Sequence, residues 1–358
     1  MSPTHASRRN VLSHAAYGVA GMAALQLLQR DASALGDVAK SSGLHHLARA
    51  KNVIHIYLGG GLSQVDSFDY KPELEKYHDK ELPAEFGTAE PFMGKAGRLH
   101  RSHFAFRQRG KSGLWMSELF PDLCEVADEL TLINSMVAET ANHTPGSFQA
   151  NTGFRQMGFL AMGSWLSYGL GNESDNLPIF VILPDERGLP YPVGGAFSWS
   201  SGFLPPEHQG VMFNTKGGPP IFDLQPASGM NADAQHDRLE LLSRLNTMHL
   251  ERQVHRESLA ARIHSYELAA RMQTAIPQAM DFASEPEYIQ KLYGLDRNEC
   301  HGTASKCLAA RRLIERGVRT VQVWTGDGIS WDALEDITGK GYKSPRGKPC
   351  ESIAPLPA

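Results

Sequence analysis

Apolar positions along this chain follow two rhythms. Short unbroken runs of β-branched, aromatic and aliphatic residues occur at Val53–Leu58, Leu130–Met136, Pro178–Pro184 and Arg319–Trp324. Runs of this length and composition predict buried strands. Between them, apolar residues recur three and four apart, which predicts helices. The first covers Ser117–Glu129, with Ser117 as N-cap and Leu119, Phe120, Leu123 and Val126 on one face. The next covers Phe148–Leu170, broken by Gly153, Gly158 and Gly163. The longest covers Asn231–Ile276, and the last runs over Thr303–Arg316, closed by Gly317. Strand, helix and strand alternate throughout. The expected fold is therefore α/β, a mostly parallel sheet with helices on both faces.

The remaining stretches predict connections. Residues 35–51 form a small, polar spacer, and Tyr70–Gly113 a surface excursion rich in Lys, Glu, His, Gly and Pro. Asp185–Leu224 is a long loop region of Gly, Pro and aromatics, the kind that covers or carries function. Residues 338–358 show no apolar period and predict no packed element. The organisation expected is 1–34 as a signal peptide, 35–51 as spacer, 52–337 as one α/β domain and 338–358 as an unstructured tail.

The signal peptide rests on three features. Arg8-Arg9 precedes apolar Val11-Leu12, Ala15–Leu27 is a short, weakly apolar run, and Ala32-Ser33-Ala34 is a small-x-small cleavage site. Together they read as a twin-arginine signal, so the expected partner is the twin-arginine translocase and the destination is periplasmic or secreted. The run is too short to span a bilayer, and no other stretch predicts a membrane span. Lysine and arginine number 35 against 39 aspartates and glutamates, and no basic stripe with interleaved aromatics occurs. That balance argues against nucleic acid as a partner. The four cysteines are too few for a disulfide scaffold and lack zinc-knuckle spacing.

Chemistry concentrates where strands end. Val53–Leu58 runs into Gly59-Gly60-Gly61 and then Ser63, Asp66 and Asp69. In an open α/β sheet, ligands bind outside the carboxyl ends of the strands. A plain turn, with Asp66 or Asp69 as a helix N-cap, reads the same residues equally well. The run at Leu130–Met136 leads into Asn142-His143-Thr144-Pro145-Gly146-Ser147, and Arg319–Trp324 leads into Thr325–Asp332. Asp66, Asp69, His143 and Asp332 are thus expected at one edge of the sheet. Aspartate and histidine together suit a divalent metal: zinc, manganese, magnesium or calcium. No G-x-S-x-G elbow, dinucleotide fingerprint or Walker lysine is present.

The order Leu58-Gly-Gly-Gly-x-Ser-Gln-x-Asp-Ser-Phe-Asp-x-Lys-Pro72, then Asn142-His143-x-x-Gly146 with Thr152-Gly153, then Ser330-Trp331-Asp332, resembles the domain-of-unknown-function 1501 family. The resemblance covers about Asn52 to Asp332. That family looks like a branch of the alkaline phosphatase and sulfatase superfamily on exported bacterial proteins. It implies an alkaline-phosphatase/sulfatase-like fold and a metal-dependent hydrolase acting on a small-molecule or polysaccharide ester. Asp66, with Asp69, takes the place of the first metal-binding aspartate. His143 falls at the nucleophile position of the sulfatase loop and reads as a ligand or anion contact. Thr144 is the nearest hydroxyl and the catalytic candidate, with Ser63 and Asn142 as binding residues.

The sequence departs from the pattern where sulfatases carry arginine, here Ser147, and after Trp331-Asp332, where Leu334 replaces an expected histidine. The family's Glu-Phe-Gly-Arg and Asp-His segments are absent; Glu85-Phe86-Gly87 lies in the surface excursion and is followed by Thr88. The fold is therefore expected to be incomplete at the C-terminus, the metal lost or weakly held, and hydrolysis impaired. The alternative is a non-catalytic periplasmic binding or surface-associated protein on the same scaffold.

Overall fold

The structure is a computed structural model. It describes residues 49–88, 97–185, 194–215, 218–221, 224, 232–251, 257–298, 300–325 and 331. Residues 1–48, where the signal peptide is expected, Asp332, Leu334 and residues 338–358 lie outside the described residues.

In chain order the elements are β1 (Val53–Leu58), α1 (Gln64–Ser67), α2 (Leu74–Tyr77), β2 (Phe106–Arg109), β3 (Leu114–Ser117), α3 (Pro121–Glu125), α4 (His143–Thr152), α5 (Met162–Leu170), β4 (Phe180–Leu183), β5 (Val211–Met212), α6 (Ala232–Glu251), α7 (Glu257–Ala279), α8 (Glu287–Tyr293), α9 (His301–Glu315) and β6 (Thr320–Thr325). Four strands form one sheet in the order β1-β6-β4-β5, every pair parallel. The expected α/β class with a mostly parallel sheet is what the chain adopts.

The two faces of the sheet are built differently. On one, Val181, Leu183, Val321 and Val323 pack with Met272, Ile276 and Ala279 of α7 and Ala309, Ala310 and Leu313 of α9. This is the larger core, and its valine-rich strands read as continuous apolar runs because both faces are covered. On the other, Phe180, Ile182 and Trp324 meet Ala161 and Trp199. Here α5 packs so closely that a Cβ on Gly163 would lie 2.4 Å from the Phe180 ring. A satellite core of Met116, Cys124 and Ala127 forms under α1, β3 and α3.

Leu130–Met136 is not a strand. The run turns at Asn134-Ser135, and Ile133, Met136 and Val137 are 65%, 76% and 85% exposed. Asn and Ser stop extended structure by bonding to nearby backbone, and no sheet partner offsets that here. Two other expectations are redrawn. Ser117 ends β3 and leaves α3 only five residues long, because β3 claims Leu114–Ser117 for a hairpin with β2. The 148–170 stretch splits into α4 and α5, with α4 starting five residues earlier, at His143. No helix among the described residues is long and apolar enough to cross a membrane.

Candidate functional site at the C-terminal edge of the sheet

The strand ends gather at the β1 exit. Gly59 continues the ladder, its N–H donating to Thr325 O at 3.0 Å. Gly60 and Gly61 then take φ values of 103° and 98°, which a side chain would strain, and the chain folds back into α1. Trp331 returns to the same place after β6. Its N–H donates to Gly59 O at 3.1 Å, and its indole N–H donates to Thr325 Oγ1 at 2.9 Å.

Within the α1 loop, Ser63 Oγ donates to Asp66 Oδ2 at 2.6 Å. Ser67 Oγ donates to Ser63 O at 2.7 Å, and Ser117 Oγ of β3 donates to Asp66 O at 2.5 Å. Asp69 instead pairs with Lys71 at 2.9 Å. Neither aspartate is an N-cap: Asp66 is inside α1, whose cap position is Ser63, and Asp69 follows its end. Ser63 and Asp66 are therefore brought together, while the Asp69 carboxylate is turned to a lysine.

Asn142, His143 and Thr144 form the start of α4. The Asn142 side chain accepts from Thr144 N at 3.2 Å, the bond that lets the helix begin there. The direction of α4 follows from its contacts. Ser147 Oγ is 2.7 Å from Tyr57 OH, near the end of β1. Asn151, one turn on, accepts from Gln322 Nε2, whose residue pairs in register with His55. The helix thus runs antiparallel to the strands. Its N-terminus lies about 5–7 Å beyond Ser147 at 1.5 Å per residue, on the edge where the glycine loop emerges.

Sequence reasoning missed the polar layer under α4. Thr320, Gln322 and Trp324 are successive inward residues of β6, and each carries a buried polar atom without a partner: Oγ1, Oε1 and Nε1 respectively. Gln322 Nε2 is also 3.4 Å from His55 Nδ1. Burial lowers the His55 pKa and raises that of Tyr57, the latter partly offset by the Ser147 hydrogen bond. The available signal was a strongly polar residue in the middle of each of two apolar strands, His55 in β1 and Gln322 in β6, at paired register positions.

A second polar pair stands apart. Ser167 Oγ is 2.8 Å from His208 Nδ1, and Glu207 is 3.6 Å from His208 Nε2. Ser167 is 1% exposed within α5, so the pair fastens the 206–208 turn to a helix and presents no nucleophile.

The described residues do not supply a complete metal centre. Among the described residues no three His, Cys, Asp or Glu side chains are grouped to hold a metal ion. Asp66 is bonded to Ser63, Asp69 to Lys71, and Asp332 lies outside the described residues. Among the described residues the donors therefore do not complete a divalent-ion site.

Residues 50–343 match the family model described as "Protein of unknown function (DUF1501)". The chain belongs to this family. The DUF1501 match starts just before β1 and runs past Trp331, so it contains every candidate residue from Ser63 to Asp332. No curated protein and no solved structure matches the chain.

Proposed function

We propose that this DUF1501 chain is an exported relative of sulfatase-like and phosphatase-like hydrolases that holds an anionic ester at the C-terminal edge of its sheet and turns it over slowly. The observation that carries this reading is the placement of the α4 N-terminus on the edge where the β1 glycine loop emerges. A helix start presents unpaired N–H groups and the positive end of the macrodipole, which favours sulfate or phosphate. Thr144 adds a hydroxyl, Asn142 fixes the first turn, and Ser63 with Asp66 shapes the facing loop. Slow turnover follows from the incomplete donor set among the described residues.

The lack of three grouped donors among the described residues favours a second reading, a non-catalytic binding protein on the same scaffold. Turnover separates the two. The test titrates sulfate and phosphate into wild type and Asn142→Asp, and measures metal content and hydrolysis of aryl sulfate and aryl phosphate. Aspartate caps as well as asparagine, so the variant keeps its fold and loses anion binding by repulsion. Equal anion affinity in both proteins removes the edge site. Saturable binding without turnover selects the binding protein. Fast turnover with stoichiometric metal overturns the expectation of a weak centre and requires donors beyond the described residues. Export is tested separately: Arg8→Lys with Arg9→Lys leaves the protein in the cytoplasm, and unchanged periplasmic delivery refutes a twin-arginine signal.

A further inference from the structure

Beside the α1 loop, the β2–β3 hairpin carries an aromatic face that stacks with Tyr70 and stays partly exposed among the described residues. We propose that this face is a subsite for a sugar ring, so that the ester presented to the sheet edge is a saccharide ester; the second half of this statement rests on the edge reading above.

Cross-strand pairing of Gln108 with Trp115 and of Phe106 with Ser117 puts these four residues on one face. Tyr70 lies over them, its ring centre 4.4 Å from that of Trp115 and 5.2 Å from that of Phe106, with planes only 30° and 28° apart. Tyr70 and Trp115 each remain 39% exposed. Gln108 is exposed on the same face. A flat aromatic surface with an amide at its margin matches a pyranose, which offers C–H groups on its face and hydroxyls around its rim.

The charges argue for a neutral ring. Arg107 and Arg109 pair with Met116 and Leu114 and so project from the opposite face. Neither hairpin arginine lies on the aromatic face, whereas stacking of single-stranded nucleic acid depends on cations lining the groove. The position fits a subsite of the edge site. Tyr70 directly follows Asp69, and Ser117, two residues from Trp115 and about 7 Å along the strand, bonds to Asp66 O.

The test uses the full chain and six probes: inorganic sulfate, galactose, N-acetylglucosamine, the 6-sulfates of both sugars, and adenosine. Affinities are measured by calorimetry for wild type, Tyr70→Ala and Gln108→Ala, with thermal midpoints as a fold control. A 6-sulfate should bind about tenfold or more tighter than inorganic sulfate, the scale of one ring stacked on an aromatic. Tyr70→Ala should abolish that advantage and Gln108→Ala should reduce it, with sulfate affinity unchanged in both. Gln108 is exposed, so its variant keeps the proposal testable if Tyr70→Ala unfolds. Tyr70-dependent binding of the neutral sugars without any sulfate binding supports the platform and overturns the edge reading. Sugar sulfates that bind no tighter than sulfate, an advantage that survives Tyr70→Ala, or adenosine binding tighter than every sugar overturns the proposal.

Discussion

Replacing Asn151 by leucine keeps the volume of the side chain and removes its amide. In the wild type, Gln322 Nε2 donates to Asn151 Oδ1, while Gln322 Oε1 has no partner, and both residues are almost fully buried at 2% and 3%. The cleft they line with His55, Gly163, Phe180 and Thr320 has no room for a water molecule. Asn151→Leu therefore leaves the Gln322 amide with both ends unpaired, apart from a contact to His55 at 3.4 Å. A newly orphaned buried donor costs about 1–3 kcal/mol. Gln322→Leu acts differently. It orphans Asn151 Oδ1 but deletes the already unpaired Oε1, so the two changes offset and the net effect stays within about 1 kcal/mol. Leucine at both positions removes every orphan of the pair and should be at least as stable as Gln322→Leu alone. The expected order of stability is Asn151→Leu lowest, then Gln322→Leu, then the double variant. The coupling between the two sites should be about 1–2 kcal/mol, measured as a double-mutant cycle in urea with unchanged slope. Additive single effects, or Gln322→Leu as the less stable single variant, would show that the amides are not paired as described.

Two further outcomes are expected. Burial lowers the His55 pKa from 6.5, and His208 shifts the same way, so the unfolded chain binds protons that the folded chain resists. Stability should then fall as pH drops below 6.5 and level off beneath the folded pKa values; His55→Gln should flatten part of this slope in midpoints recorded across that range, and an identical slope would exclude His55. Gly163→Ala places a methyl 2.4 Å from the Phe180 ring, so it should lower stability by about 1–3 kcal/mol, and a neutral result in urea would mean that α5 is less tightly seated.

Several elements could be read from sequence because one local signal decided each. Val53–Leu58 and Arg319–Trp324 are apolar runs with glycines soon after them in the sequence, and both appear as parallel neighbours. The 303–316 helix has a full apolar face and a glycine stop, and α9 spans almost the same residues. Leu130–Met136 carried an equally good apolar run, but strand formation needs a partner as well as a propensity. The 106–117 hairpin straddles the end of the polar excursion and the Ser117 helix start, and its short amphipathic strands leave little periodicity. At the candidate site, the glycine loop and the Asn142 cap have local signatures. The pairing of Gln322 with Asn151, and the turn of Asp69 toward Lys71, depend on register and rotamer, which no spacing records.

The pairing of β1 with β6 has a consequence for how the molecule is made. Val53 is matched to Thr320 and Leu58 to Thr325, so the first strand leaves the ribosome long before its partner exists. At roughly 5–20 residues per second, that interval lasts on the order of 15–50 s. During it an uncharged hexapeptide with two isoleucines, Ile54 and Ile56, still 44% and 43% exposed in the finished fold, has nothing native to pair with. Contacts this distant in sequence close late and fold slowly. β1 therefore cannot take its native place in the sheet until β6 has been made. Until then it is an unpaired strand, open to pairing with the same segment of another copy.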